Sequence, residues 1–189
     1  TVSMNDSILN INRGYTWTRL LQLTVQNATL INDKPPVPGT YTDLQAQINK
    51  LKDGDVLEFA YNFSYNPEID EDRFPEGVVI NKNIIITGNG FTISGNNSKR
   101  VFKIGDGSTE IDVKLNNITF ANGNSSDNGG AIYSAPKTSI AVDNCNFTNN
   151  QAETGGAIYS ASANTNITNS KFENNIAKES SQSNAIFFA

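Results

Sequence analysis

Carboxylates are the side chains in this sequence that could carry acid–base chemistry. The 189-residue chain has no histidine and one cysteine, Cys145, so the commonest general base and metal ligand is missing. Cleaving a glycan needs two carboxyl groups facing each other across a groove, or acidic Ca²⁺ ligands beside an Arg or Lys base. The wall carboxylates are scattered instead: Glu58, Asp106, Glu110, Asp112, Asp143 and Glu153, of which only Glu110 and Asp112 stand two apart on one strand face. The run Glu68, Asp70, Glu71, Asp72 lacks the Gly and terminal Glu of an EF-hand loop and reads as a solvated acidic loop. Cys145 has Ile118 and Ser170 as its repeat equivalents and reads as an inert thiol in the wall. No catalytic residue, metal ligand or cofactor is expected.

Recognition is the other chemistry open to this chain. Three segments of unequal length carry polar side chains between repeated phrases: Asn124, Ser125, Ser126 and Asp127; Gln151, Glu153 and Thr154; Lys178 and Glu179. Loop-length variation on one edge of a repeat array is the usual seat of binding. Tyr133 and Tyr159 are read as wall packing; on a concave surface they would point to glycan contact. Asn-x-Ser/Thr sequons occur at Asn5, Asn27, Asn62, Asn96, Asn117, Asn124, Asn146 and Asn166. Asn124 lies in an expected loop, whereas Asn117 is expected in a ladder that makes it a poor glycan acceptor.

What positions these segments is repetition. Asn117-Ile-Thr-Phe120-Ala-Asn122 recurs as Asn144-Cys-Asn-Phe147-Thr-Asn149 and as Asn169-Ser-Lys-Phe172-Glu-Asn174. Gly129-Gly130-Ala-Ile-Tyr-Ser134 recurs letter for letter at Gly155-Gly156-Ala-Ile-Tyr-Ser160, with a weaker copy at Asn184-Ala-Ile-Phe187. The phenylalanines are 27 and 25 residues apart, and a period in the twenties marks a solenoid. Val113 and Leu115, like Ile140 and Val142, alternate with polar neighbours, which is strand patterning. The fold class predicted is all-β, a right-handed parallel β-helix (solenoid) with a short N-terminal capping α-helix. Phe120, Phe147 and Phe172 then form an interior column at about 4.8 Å spacing. Asn117, Asn144 and Asn169, and likewise Asn122, Asn149 and Asn174, form columns whose amides bond from coil to coil. The Gly-Gly-Ala phrase makes a corner.

Residues 1–40 read as an N-terminal β segment and a Pro-rich connector. Residues 41–55 hold the capping helix and turn, with Thr42-Asp43-Leu44-Gln45 as a capping box, Leu44, Ile48 and Leu51 on one face, and Gly54 as the stop. It should plug the N-terminal end of the array. Residues 56–189 are the coils, starting at Val56, interrupted at 66–77 and resuming at Val78. Setting Phe91 against Phe120 pairs Ile86 with Leu115, Gly88 with Asn117 and Phe102 with Ile132. About four coils and a rod of about 20 Å from Val78 onward follow, and the chain reads as a fragment truncated inside a repeat.

Gly-Gly-Ala-Ile with Phe147-Thr-Asn-Asn150 and Phe172-Glu-Asn-Asn175 resembles the repeats of chlamydial polymorphic outer membrane proteins. The N-terminal half is similar to the adhesin-like surface proteins of methanogenic archaea, through Thr42-Asp-Leu-Gln45, Asp53-Gly-Asp-Val-Leu57 and Val79-Ile-Asn-Lys-Asn-Ile-Ile-Ile-Thr-Gly-Asn-Gly-Phe-Thr-Ile-Ser-Gly95. The resemblance spans Tyr41 to Ala189 and departs from the pattern at Gly123 and at Ser183-Asn184. It implies a secreted β-helix, extracellular at the cell surface, used in attachment.

Composition agrees with an exposed solenoid: 37 % hydrophobic, 17 % charged, net charge −5. No basic cluster exists to grip nucleic acid, and no run of about 20 apolar residues exists to enter a membrane. The function expected is a monomeric adhesin-like domain attaching to a surface glycan or a protein on another cell. The alternatives are a polysaccharide-active lyase or hydrolase and a structural stalk module.

Overall fold

Short β-branched runs separated by Asn and Gly corners wind the chain into stacked coils. The computed structural model describes residues 36–162, 164–179 and 185–189; the β segment expected before them lies outside that range. Helix α1 (Tyr41–Lys50) comes first. Coil one is β1 (Val56–Glu58), β2 (Phe63–Ser64), a helical turn α2 (Pro67–Asp70) and β3 (Val78–Ile80). Coil two is β4 (Ile84–Thr87), β5 (Thr92–Ser94) and β6 (Phe102–Ile104). Coil three is β7 (Ile111–Asn116), β8 (Thr119–Ala121) and β9 (Ile132–Ser134). Coil four is β10 (Thr138–Asp143), β11 (Asn146–Thr148), β12 (Gln151–Ala152) and β13 (Ile158–Ser160). Coil five is β14 (Asn164–Thr168), β15 (Lys171–Glu173), β16 (Ile176–Ala177) and β17 (Ile186–Phe188). Like strands of successive coils pair in parallel, giving three five-stranded sheets and the two-stranded β12–β16. The molecule is thus a β-solenoid of about five turns: the coil begun at Val56 and the four expected from Val78 onward.

The interior is apolar by alternation. In β7, Ile111, Val113 and Leu115 face in while Asp112 and Lys114 face out. Phe120 stacks on Phe147 at 4.8 Å between centroids, and Phe147 on Phe172 at 4.7 Å, with planes 9° and 1° apart. Below Phe120 the column continues with Ile93 and Phe63, not Phe91. The expected pairing of Ile86 with Leu115 and Phe102 with Ile132 holds, yet Ile93 pairs with Phe120. Coil two carries two extra corner residues, with Asn89 and Gly90 both at positive φ (53° and 82°), so no single offset fits the whole coil.

The two repeated Asn columns are corners held by backbone geometry. Asn117, Asn144, Asn169, Asn122, Asn149 and Asn174 all have φ of 50–54°, the left-handed region that Asn tolerates better than other side chains. Of the amide-to-amide bonds expected between Asn117, Asn144 and Asn169, one forms: Asn144 Nδ2 donates to Asn117 Oδ1 at 3.4 Å, while Asn169 donates to Asp143 at 2.8 Å. The buried amide ladder lies one residue after the second column. Asn150 Nδ2 donates to Phe120 O (3.0 Å) and Asn175 Oδ1 (2.9 Å), and its Oδ1 accepts from Gly123 N (2.8 Å). Asn175 Nδ2 donates to Phe147 O at 2.9 Å. Coil three has Gly123 at this place because a Cβ there would lie 2.2 Å from Gly130 O.

Helix α1 closes the N-terminal end, burying Tyr41, Leu44 and Ile48. Its N-cap is Thr40, whose hydroxyl accepts from Asp43 N, and not Thr42. Thr42 belongs to the first turn, and its amide and hydroxyl both donate to Asp70 (2.8 and 2.7 Å). Asp70 is 0 % exposed and also accepts from the amides of Tyr41 and Asn66. It therefore leaves the solvated acidic loop expected for it and holds the positive end of the helix dipole. Gln45, freed from the capping box, accepts from Val79 N (2.8 Å) and donates to Val79 O (3.0 Å), so a side-chain amide pairs the otherwise open edge of β3. The helix ends at Leu51, whose amide donates to Ile48 O, and Gly54 turns the chain into coil one with φ 88°.

Candidate functional site

The coils place their longer connections at the same corner, between the second and third sheets. The chain order requires it: 65–77, 95–101, 122–131 and 149–157 each join those two sheets, and 174–179 leaves the second sheet of coil five at the same place. Backbone bonds tie the segments together. Asn124 N donates to Lys99 O, Ser125 N to Gln151 O, Glu153 N to Asp127 O, Lys178 N to Ala152 O and Glu179 N to Glu153 O, at 2.7–3.0 Å. Residues 124–127, Gln151, Glu153, Thr154, Lys178 and Glu179 thus share one edge. Lys178 pairs with Glu153 at 3.5 Å, and Thr154 donates to Glu179 at 3.0 Å. Ser125 and Thr154 are buried, Ser126, Asp127, Lys178 and Glu179 are exposed, and Asn124, Gln151 and Glu153 are half-buried.

Arg100 fixes the lower half of this edge, and sequence reasoning missed it. It is 4 % exposed. Its Nε donates to Asn128 O (3.2 Å) and Gly129 O (3.0 Å), Nη2 to Ser125 Oγ (2.8 Å) and Asn128 O (2.7 Å), and Nη1 to Glu76 O (3.4 Å). Nη2 also meets the Asp127 carboxylate, and Nη1 lies 3.6 Å from that of Glu76. The guanidinium covers the Tyr133 ring at 5.3 Å. One signal was present. By the register of β6 on β9, Arg100 stands where coil three has Gly130, and a unique cation at a glycine position of a repeat calls for partners. Partial burial works to raise the Asp127 carboxyl, but hydrogen bonding from Ser125 and the Arg100 charge outweigh it and hold the group below its ordinary range.

Around this clamp lies a cleft of about 360 Å³ lined by Pro75 and Glu76, Ser98 to Arg100, Asn124 to Asp127, and Lys178. A second hollow of about 220 Å³ shares Glu76, Arg100 and Asp127 and runs to Lys103, Asp106 and Tyr133. Lys103 Nζ is 2.9 Å from Glu76. Asp106 accepts from the amides of Ser108 and Thr109 (2.8 and 3.0 Å), which lowers its carboxyl to about 2.

Tyr133, Tyr159 and Phe187 form an outward, half-exposed column with centroids 5.6 and 5.3 Å apart and nearly parallel planes. The rings cover one another, and Arg100 covers the other face of Tyr133, so Tyr133 and Tyr159 offer a ligand only their edges. That is the wall packing expected of the tyrosines. Glu110 and Asp112 border an open groove with Lys137 on another side of the wall. Asp143 accepts from Thr168 and Asn169, which lowers its carboxyl. Cys145 is buried, its thiol pushed up to about 11 by burial. Among the described residues, no group of three Asp, Glu, Cys or His side chains could hold a metal ion. No helix there is long and apolar enough to cross a membrane. No family model, curated protein or solved structure matches this chain.

Proposed function

We propose that this chain is a cell-surface, adhesin-like β-solenoid domain that attaches to glycans or proteins on other cells. The observation that carries the reading is the corner itself. Polar segments of successive coils stack there, and those of coils one, two, three and five line a cleft braced by Arg100. A rigid scaffold holding variable loops is how binding surfaces are commonly built. The resemblance to adhesin-like archaeal surface proteins and to the chlamydial repeats supports an extracellular setting. The test is binding of the purified chain to glycan arrays and whole cells, beside a variant with Asn124 to Asp127 replaced by Gly and Ser. Binding lost in the variant supports the reading. Undiminished binding removes the loop edge from it, and a chain that binds nothing is a stalk module.

A polysaccharide-active enzyme is the second reading, favoured by Glu76, Asp127 and Arg100 meeting in one cleft. Glycoside hydrolysis needs one carboxyl that keeps its proton near neutral pH. Asp127, held below its ordinary range, suits the ionised partner of such a pair and not the acid; both cleft carboxylates are instead tied to Arg100, which weighs toward attachment. Shortening of a bound oligosaccharide, followed by mass spectrometry, would reverse that order.

A further inference from the structure

We propose that the cleft beside Arg100 binds an acidic saccharide, with Lys99 and Lys178 as the cations that attract its negative charge. The proposal rests on the attachment reading and names the ligand class of the same corner. The chain as a whole is acidic, at −5, yet the cleft lining holds three cations, Lys99, Arg100 and Lys178, against two anions, Glu76 and Asp127. Arg100 is already committed to both of those anions, and Glu76 is further held by Lys103. The ammonium groups left are those of Lys99 and Lys178, which come from coils two and five.

Their present partners lie outside the lining and hold them weakly. Lys99 Nζ is 4.0 Å from the fully exposed Asp72 carboxylate and 5.5 Å from the Tyr65 ring centroid. Lys178 Nζ is 3.5 Å from Glu153, both about 40–50 % exposed. Lys99 is 20 % exposed, but its pairing at 4.0 Å with a fully exposed carboxylate is long and open to solvent, and the Lys178 pair is exposed on both sides; such pairs contribute about 1 kcal/mol at most, so a ligand carboxylate or sulfate making charge-assisted hydrogen bonds can replace them. Ser98, Asn124 and Ser126 line the rest of the cleft. Hydroxyls and amides of this kind match sugar hydroxyls, which both donate and accept. A volume of about 360 Å³ sits at the small end of ligand pockets, the scale of a sugar unit or two. A nucleic acid is a poorer match, because two free lysines on an acidic chain cannot neutralise a run of phosphates.

The test uses the whole chain and the double variant Lys99→Gln/Lys178→Gln. The probes are a hyaluronan oligosaccharide, sialyllactose and a chondroitin sulfate oligosaccharide, each beside its neutral, carboxyl-reduced and desulfated form. At least one acidic probe should bind and its neutral form should not. Affinity should fall about tenfold or more in the double variant and should fall with added salt in the wild-type chain. Equal binding of acidic and neutral forms, or no binding of any acidic probe, overturns the proposal. So does full affinity in a double variant whose unfolding midpoint matches wild type. Whole-cell attachment is read in parallel. If it survives in the double variant, attachment stands and the acidic ligand falls; if wild type attaches to nothing, the attachment reading falls first.

Discussion

The Asn150–Asn175 ladder and the Arg100 clamp meet the same demand in opposite ways. The ladder lies where the chain leaves the second sheet and the clamp where it enters the third, and each supplies donors to carbonyls of a neighbouring coil. In coils four and five an identical amide on each rung satisfies the carbonyl of the rung below, at Phe120 and Phe147, and passes a bond to its neighbour. Such a device propagates from one rung to the next, and neither rung is unique. Across coils one to three a single guanidinium gathers Asn128 O, Gly129 O, Ser125 and the carboxylates of Asp127 and Glu76. That device cannot repeat, because a second Arg one rung away would face like charge. Repetition builds the wall, and the place where repetition is abandoned is the place where the cleft opens.

The comparison is broken hardest at Arg100. Arg100→Met strands the carbonyls of Asn128 and Gly129, at about 1–3 kcal/mol for each buried acceptor left without a donor, while Asp127 and Glu76, 62 and 47 % exposed, add little. Urea denaturation should show that loss. A change below about 1 kcal/mol would mean that the guanidinium only decorates a loop ordered by its backbone bonds.

Asn150→Ala comes next. It strands Gly123 N and Phe120 O in the interior, at about 1–3 kcal/mol. Asn175→Ala should cost less than Asn150→Ala, since Asn175 sits on the half-exposed fifth coil, where Ile176 and Phe188 are 55 and 58 % exposed. Equal costs for the two would contradict a ladder whose worth depends on burial. The midpoints of urea unfolding for both variants decide it.

The same division separates what the sequence made legible from what it hid. The Phe column, the Gly-Gly-Ala corner and the Leu44/Ile48 helix face were readable because each is a local pattern repeated at a fixed period. The shared loop corner was readable because stacking brings equal register positions together. Asp70 was not, since its partner Thr42 lies 28 residues away in the helix; Arg100 showed only as a cation at a glycine position, and its partners 25–29 residues on, in the next coil, are encoded by no spacing within one repeat. Thr42 was misplaced as N-cap for the same reason: its hydroxyl goes to Asp70 across the fold, which leaves Thr40 the cap. Phe91 misled because an aromatic at nearly the right interval looks like a repeat member until two inserted corner residues are counted. The Asn columns were placed correctly and explained incompletely, because left-handed backbone and amide ladders select the same residue.

The smallest effect sharpens the comparison through pH. Asp127 is held below its ordinary range: burial opposes, and Ser125 and Arg100 prevail. A depressed carboxyl contributes stability that is full above its unfolded value, about 3.9, and is lost as pH falls through the folded value. Wild type should therefore exceed Asp127→Asn in unfolding midpoint near neutral pH, and the gap should close below about pH 4. The Asp127 side chain is 62 % exposed, so the gap is small and should shrink further with salt. Asn150→Ala, which removes no charge, should keep a constant deficit across the same range. If its deficit also closed with acid, the ladder and the clamp would share an electrostatic origin, and the contrast between a neutral repeating device and a charged unique one would fail.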